Sequence, residues 1–95
     1  EPSWNHSLPQ TSNNTCDVRG LRSDEAVARV IEFLDDLYGR GINTGYVIHG
    51  HGTGALKRHL RAWFPQCDYV HSFRPGKAQE GGDGVTAVLL TLRSL

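Results

Sequence analysis

Residues 46–65 read YVIHGHGTGALKRHLRAWFP, and this stretch decides the fold. Tyr46, Val47 and Ile48 form a short apolar run of strand character. Gly50, Gly52 and Gly54 then interrupt at every second position, after which Leu56, Leu60, Trp63 and Phe64 recur at helical spacing until Pro65. A strand that passes through a glycine-rich turn into a helix is an α/β unit. It aims free backbone N–H groups and the positive end of the helix dipole at one point, which attracts anions. The glycines permit a tight turn and close approach of a phosphate. His49 and His51 add imidazoles, the side chains able to exchange a proton near neutral pH. Lys57, Arg58 and Arg61 occupy neighbouring positions of the helix, so their charges are expected to converge beside the loop. On shape alone a plainer reading is equally good: glycines that only end a strand and start a helix, histidines bonded structurally, and a solvated basic helix face. A dinucleotide site fits poorly, because the spacing is not G-x-G-x-x-G and the chain is too small for a doubly wound domain.

Toward the N-terminus, Ser23 with Asp24 and Glu25 gives a cap and an acidic first turn. Val27, Val30, Ile31, Leu34 and Tyr38 follow at one-face helical spacing until Gly39 and Gly41. Before it, Cys16, Val18 and Leu21 alternate with Asp17 and Arg19, the pattern of a short strand with charged side chains on one face. Residues 1–14 are rich in Pro, Ser, Asn and Thr without apolar period and read as a flexible linker or tail, leaving 15–95 as the domain and Trp4 without a role in it. Toward the C-terminus, Tyr69, Val70 and Phe73 suggest a third strand and Val85 to Leu92 a fourth, separated by the Gly-rich stretch 76–84. The order is βαβαββ. Strands joined through helices should be parallel and the last pair antiparallel, giving a mixed four-stranded sheet with helical cover.

At 95 residues the chain supports one core, and 38% hydrophobic with 21% charged residues is ordinary for a globular domain. No apolar run approaches the roughly 20 residues that span a bilayer, so no membrane partner is expected. The formal net charge is zero, which makes charge placement the relevant quantity. Residues 45–77 carry Lys57, Arg58, Arg61, Arg74 and Lys77 against the single acid Asp68, while Asp24, Glu25, Glu32, Asp35 and Asp36 crowd the first helix. Cys16 and Cys67 form no Cys-x-x-Cys unit, which excludes a zinc ribbon and points to a reduced, cytoplasmic protein. A start at Glu1 suggests a piece of a longer chain.

Three ordered blocks then resemble a known family, the small MutS-related or Smr domain of certain bacterial MutS-like proteins. They are Asp17-Val18-Arg19-Gly20, His49-Gly50-His51-Gly52-Thr53-Gly54-Ala55-Leu56, and Phe73-Arg74-Pro75 with Glu80-Gly81-Gly82-Asp83-Gly84-Val85-Thr86. The likeness runs from about Thr15 to Leu92. It implies an α/β two-layer sandwich similar to the C-terminal domain of a bacterial translation initiation factor. It also implies DNA nicking or RNA cleavage as the C-terminal module of a larger MutS-like chain. The family signatures L-D-x-H or L-D-x-R and H-G-x-G fall on Cys16 to Arg19 and His49 to Gly52, with Cys16 replacing Leu and His51 standing where many members have Lys. Arg19 in place of His resembles the branch attached to MutS-like proteins. It removes one imidazole that other members could use as acid or base, and provides a permanent phosphate ligand.

For an endonuclease the resemblance implies Asp17, Arg19, His49 and His51 as the catalytic set. Asp17 would orient or deprotonate the attacking group or fix an imidazole, His49 transfer the proton, with His51 as its substitute, and Arg19 with the loop amides stabilise developing charge. Gly50, Gly52, Thr53, Gly54, Lys57, Arg58 and Arg61 would hold the nucleic acid, DNA or RNA. Arg74 and Lys77 would start a glycine-rich flap over it. No cofactor is required by these residues. A divalent metal is conceivable if DNA is hydrolysed, but His49-x-His51 finds no third ligand close in sequence, and a metal-free site is expected. The rival reading is a non-catalytic module that docks its parent chain onto DNA or a nucleoprotein such as a ribosome.

Overall fold

The computed structural model describes residues 1–92. Its regular elements are β1 (Thr15–Asp17), α1 (Ser23–Gly39), β2 (Thr44–Ile48), α2 (Ala55–Trp63), β3 (Val70–Pro75) and β4 (Val85–Leu90). The sheet order is β1-β2-β4-β3, with β1 parallel to β2 and β4 antiparallel to both its neighbours. Strands β2 and β3, joined through α2, are thus parallel as expected, with β4 inserted between them. This is the mixed four-stranded sheet with two helices that the βαβαββ order implies.

Both helices lie on one face. Val47 and Val88 from the sheet meet Val30, Leu34 and Leu37 of α1 and Leu60 of α2, all 0% exposed. Burial of a side chain of this size contributes about 1.5–3 kcal/mol, so this cluster is the main stabilising term. The apolar face of α1 is rotated from its expected position: Ala26, Phe33 and Leu37 are buried with Val30 and Leu34, whereas Ile31 is 45% exposed. Gly45 explains the rotation. A Cβ there would stand 2.7 Å from Leu37 Cδ1 and 3.0 Å from Phe33 Cε2, so the bare backbone of β2 lets these two larger side chains lie on it. The helix also starts one residue earlier than expected. Ser23 is its first residue, and Glu25 accepts the Arg22 N–H at 3.0 Å.

The other face is not left to solvent, and here the reading of residues 1–14 as a trailing tail is corrected. Trp4 packs with Tyr46, Ile48, Val85 and Ala87. The Leu8 N–H donates to Thr44 Oγ1 at 2.9 Å, and the Tyr46 hydroxyl donates to the Leu8 carbonyl at 2.7 Å. The buried Asn14 amide accepts from Thr11 N–H and donates to the Pro9 carbonyl. Composition missed this because the segment satisfies its backbone through turn residues and needs only one large apolar side chain to hold it. No helix of the described residues is long and apolar enough to cross a membrane.

Candidate nucleic-acid interface

Strands β1 and β2 run parallel, so their C-terminal ends deliver Asp17, Arg19 and the 49–54 loop to one edge, where α/β sheets place their ligand crevices. Gly50, Gly52 and Gly54 all adopt left-handed φ values (76°, 41° and 81°), which coil the loop back on itself. The Arg19 stem lies across Gly50, with its Cγ and Cδ 3.3 Å from where a Cβ would stand. The His51 ring lies across Gly84 in the same manner, Nε2 at 2.9 Å. A cleft of about 300 Å³ opens between the loop and residues 20–23. A second, of about 240 Å³, lies between His51, Arg19, Glu80 and Gly84.

Some loop amides are already used. His49 and Gly50 both donate to the Gly84 carbonyl, at 3.1 and 2.9 Å, and Gly54 donates to His51 O at 2.9 Å. The Ala55 N–H reaches Thr53 Oγ1 at 3.3 Å. The N–H groups of His51, Gly52, Thr53, Leu56 and Lys57 have no hydrogen-bond partner among the described residues. The concentration of free donors at the head of a helix is therefore real, though narrower than the whole loop.

His49 is buried, 6% exposed, and both its ring nitrogens are engaged. Nδ1 lies 3.0 Å from the Gly50 carbonyl and Nε2 lies 2.8 Å from Thr86 Oγ1. A carbonyl only accepts, so Nδ1 carries the proton and Nε2 accepts from the threonine hydroxyl. Thr86 Oγ1 in turn accepts from Arg61 Nε at 2.9 Å. Burial pushes the His49 imidazole below its ordinary pKa of 6.5, opposed by the Gly50 carbonyl and reinforced by Arg61 and Lys57. His49 is a neutral brace between loop and β4. His51, by contrast, is exposed beside both clefts.

The expected convergence of three helix cations on the loop is corrected by the structure. Lys57 Nζ sits 2.6 Å from Asp83 Oδ2 and Arg61 Nη1 2.8 Å from Asp83 Oδ1. Arg58 turns to the loop, its Nη1 3.3 Å from the Thr53 carbonyl, while Lys57 lines the loop-side cleft with its ammonium held by Asp83. Positions 57 and 61 are one turn apart and share the stripe that faces the β3–β4 connection, whereas 58 lies about 100° around the helix. The two cations hold the Asp83 carboxyl down to about 2. Arg19 is paired with Asp17 at 2.7 Å, which lowers the carboxyl of Asp17 through those hydrogen bonds.

Arg74 is also placed differently from the flap reading. It pairs with Glu80 at 2.8 Å and stacks over the Trp4 ring at 4.8 Å, on the face of the sheet opposite the helices. Glu80 also accepts the Lys77 N–H at 2.8 Å, and residues 78–80 and 82–84 are folded into 3-10 turns. Among the described residues no three His, Cys, Asp or Glu side chains gather as a metal-binding set. The Asp17 carboxylate is engaged by Arg19. Sequence reasoning overlooked Thr86 and Asp83 as site residues. They lie 37 residues from His49 and 26 from Lys57, so nothing local signals them.

A family model described as the Smr domain matches residues 16–91. A protein named endonuclease MutS2 from Anaeromyxobacter sp. is 48% identical over 84 residues, 88% of this chain and 10% of that protein. The endonuclease MutS2 of Caldanaerobacter subterraneus is 46% identical over 81% of this chain and 10% of its own. The chain thus spans about a tenth of the length of these curated relatives. Among solved structures, the Smr domain of Thermus thermophilus MutS2 superposes with a TM-score of 0.80 at 37% identity, over 82% of this chain and 98% of that one. YdaL of Escherichia coli, a stand-alone small MutS-related protein, shares the fold at a TM-score of 0.79 and 19% identity, over 84% and 66% of the two chains. With the profile, the sequence relatives and the superposition in agreement across the same residues, the chain belongs to the Smr domain family.

Proposed function

We propose that this domain seats a phosphodiester of DNA or RNA at the head of α2 and serves as the nucleic-acid-gripping module of a nicking endonuclease. One observation carries the reading: among the described residues, five backbone N–H groups without partners, at residues 51–53, 56 and 57, lie beside Arg58 in a loop crossed at Gly50 by the Arg19 stem. Backbone donors and a helix dipole suit a phosphate of any sequence, so the grip is to the backbone and carries little base information. In a cleavage step the exposed His51 imidazole would be the proton-transferring group, because His49 has both nitrogens engaged. Arg19 would swing from Asp17 to the developing phosphorane charge, releasing the Asp17 carboxylate toward the attacking hydroxyl. On RNA that hydroxyl is the neighbouring 2′-OH. On DNA it is water, and among the described residues no three metal-ligating side chains gather to activate it.

The test is a titration of isotopically labelled protein with duplex DNA, branched DNA and single-stranded RNA at several salt concentrations, alongside cleavage of the same labelled strands. Amide shifts centred on residues 51–57, weakening steeply with salt, support the seat; shifts centred elsewhere remove it. His51→Ala should abolish cleavage while sparing binding. Salt-sensitive binding by wild-type protein that never cleaves any of the three substrates would leave the non-catalytic docking module as the correct reading.

A further inference from the structure

A cleft of about 570 Å³ lies away from the loop, at the C-terminal end of α2. Ile31 and Tyr38 of α1, Trp63 of α2, and Asp68 and Tyr69 ahead of β3 form its walls. Tyr38 and Tyr69 pack in a tilted pair, 5.0 Å between ring centroids and 47° between planes, and the Tyr69 hydroxyl donates to the Asp35 carboxylate. Ile31 is 45% exposed on the rim, beside the exposed Glu32. No lysine or arginine lines the cleft among the described residues.

We infer that this groove is a docking site for a basic peptide segment of a partner protein, one that sets an arginine or lysine among Tyr38, Trp63, Tyr69 and Asp68 and an aliphatic neighbour on Ile31. Three features select a cation. Aromatic faces attract it through their quadrupoles, the Asp68 and Asp35 carboxylates through their charge, and the C-terminal end of α2 through its dipole. The volume is far more than one ammonium group needs and lies within the range that takes a side chain with its neighbours. The same carboxylates repel phosphate, so the groove does not extend the nucleic-acid surface. Nine residues of α2 hold the two sites about 13 Å apart along its axis.

The probes are acetyl-Leu-Arg-Leu-Arg-Leu-amide and its counterpart with glutamate in place of arginine, titrated into the labelled domain. The indole N–H of Trp63 is the reporter, and that of Trp4, on the far face of the sheet, is the internal control. The arginine peptide should shift Trp63 and the Ile31 methyls saturably while Trp4 and the loop amides stay in place. Ile31→Lys and Asp68→Lys, both at exposed positions, should each weaken binding about fivefold or more with an unshifted Trp4 signal reporting intact folding. Equal binding of the glutamate peptide, unsaturable shifts, or no effect of either variant would overturn the inference. So would the same shifts appearing without peptide as protein concentration rises, which would identify a second copy of the chain as the occupant.

Discussion

The two ends of α2 leave different things open to solvent, one of them backbone and the other side chains. At its head, glycines strip side chains away so that backbone N–H groups remain free beside Arg58. At its tail, aromatic and acidic side chains crowd together around an open groove. The head depends on what the main chain leaves unpaired, the tail on what side chains leave uncovered. A domain with no net charge can therefore still carry a donor-rich end and an end lined by aromatic and acidic groups, and composition alone is blind to both.

The largest effect should come from cutting what the two ends share. Phe64 is fully buried beneath α2, its ring 5.5 Å from Trp63 and 5.4 Å from Phe73. Phe64→Ala should cost about 3–5 kcal/mol in urea unfolding, and in the native fraction both ends should degrade together. If only the groove loosened, the head would be supported independently of the helix core.

Thr86→Val acts on the head alone. It deprives His49 Nε2 and Arg61 Nε of their shared partner, at about 1–3 kcal/mol. His49 adds a pH dependence of known sign. Its folded pKa lies below the unfolded value of 6.5, so the unfolded chain takes up the proton first. Its contribution is present above 6.5 and is lost as pH falls toward the folded value. Unfolding free energy should therefore decline as pH is lowered through 6.5, and His49→Gln should flatten that decline.

Asp83→Asn should sharpen the contrast instead of breaking it. It releases Lys57 and uncovers the charge of Arg61, which Thr86 still holds, so nucleic-acid affinity at low salt should rise about three- to tenfold and the salt slope steepen, while the arginine peptide binds the groove as before. Unchanged affinity would mean that these cations never face the ligand. The smallest effect is on acid titration. Asp83 should titrate by NMR near a pKa of about 2, so its ion pairs, intact above 3.8, break only as pH falls toward that value. Because Asp83 is half exposed, little stability goes with them.

Most of the fold was legible because it is written in local periodicity: the helix after the glycine loop, the strand before it and the βαβαββ order all follow from neighbouring residues. The site was legible only where it is made of backbone. That Gly50, Gly52 and Gly54 coil a loop with free amides could be read from their spacing, but the direction of Lys57 and Arg61 could not, since Asp83 is 26 and 22 residues away. The engagement of both His49 nitrogens depends on Thr86, which becomes its neighbour only when β4 enters the sheet. The packing of Trp4 against Arg74 spans the sequence in the same way. Pairings of this kind are decided by topology, on which the two partners' own sequence contexts are silent.

The insertion of β4 between β2 and β3 ties recognition to threading. Thr86 opposes Val47 and points under α2, while Val85 and Ala87 on either side of it lie under Trp4. Since side chains alternate along a strand, a slip of β4 by one residue would turn the hydroxyl toward the tryptophan and bring valine to the imidazole. The linker that precedes β4 is thus a ruler: one residue added or removed there would unseat the loop's brace and the hydrophobic interior in a single step.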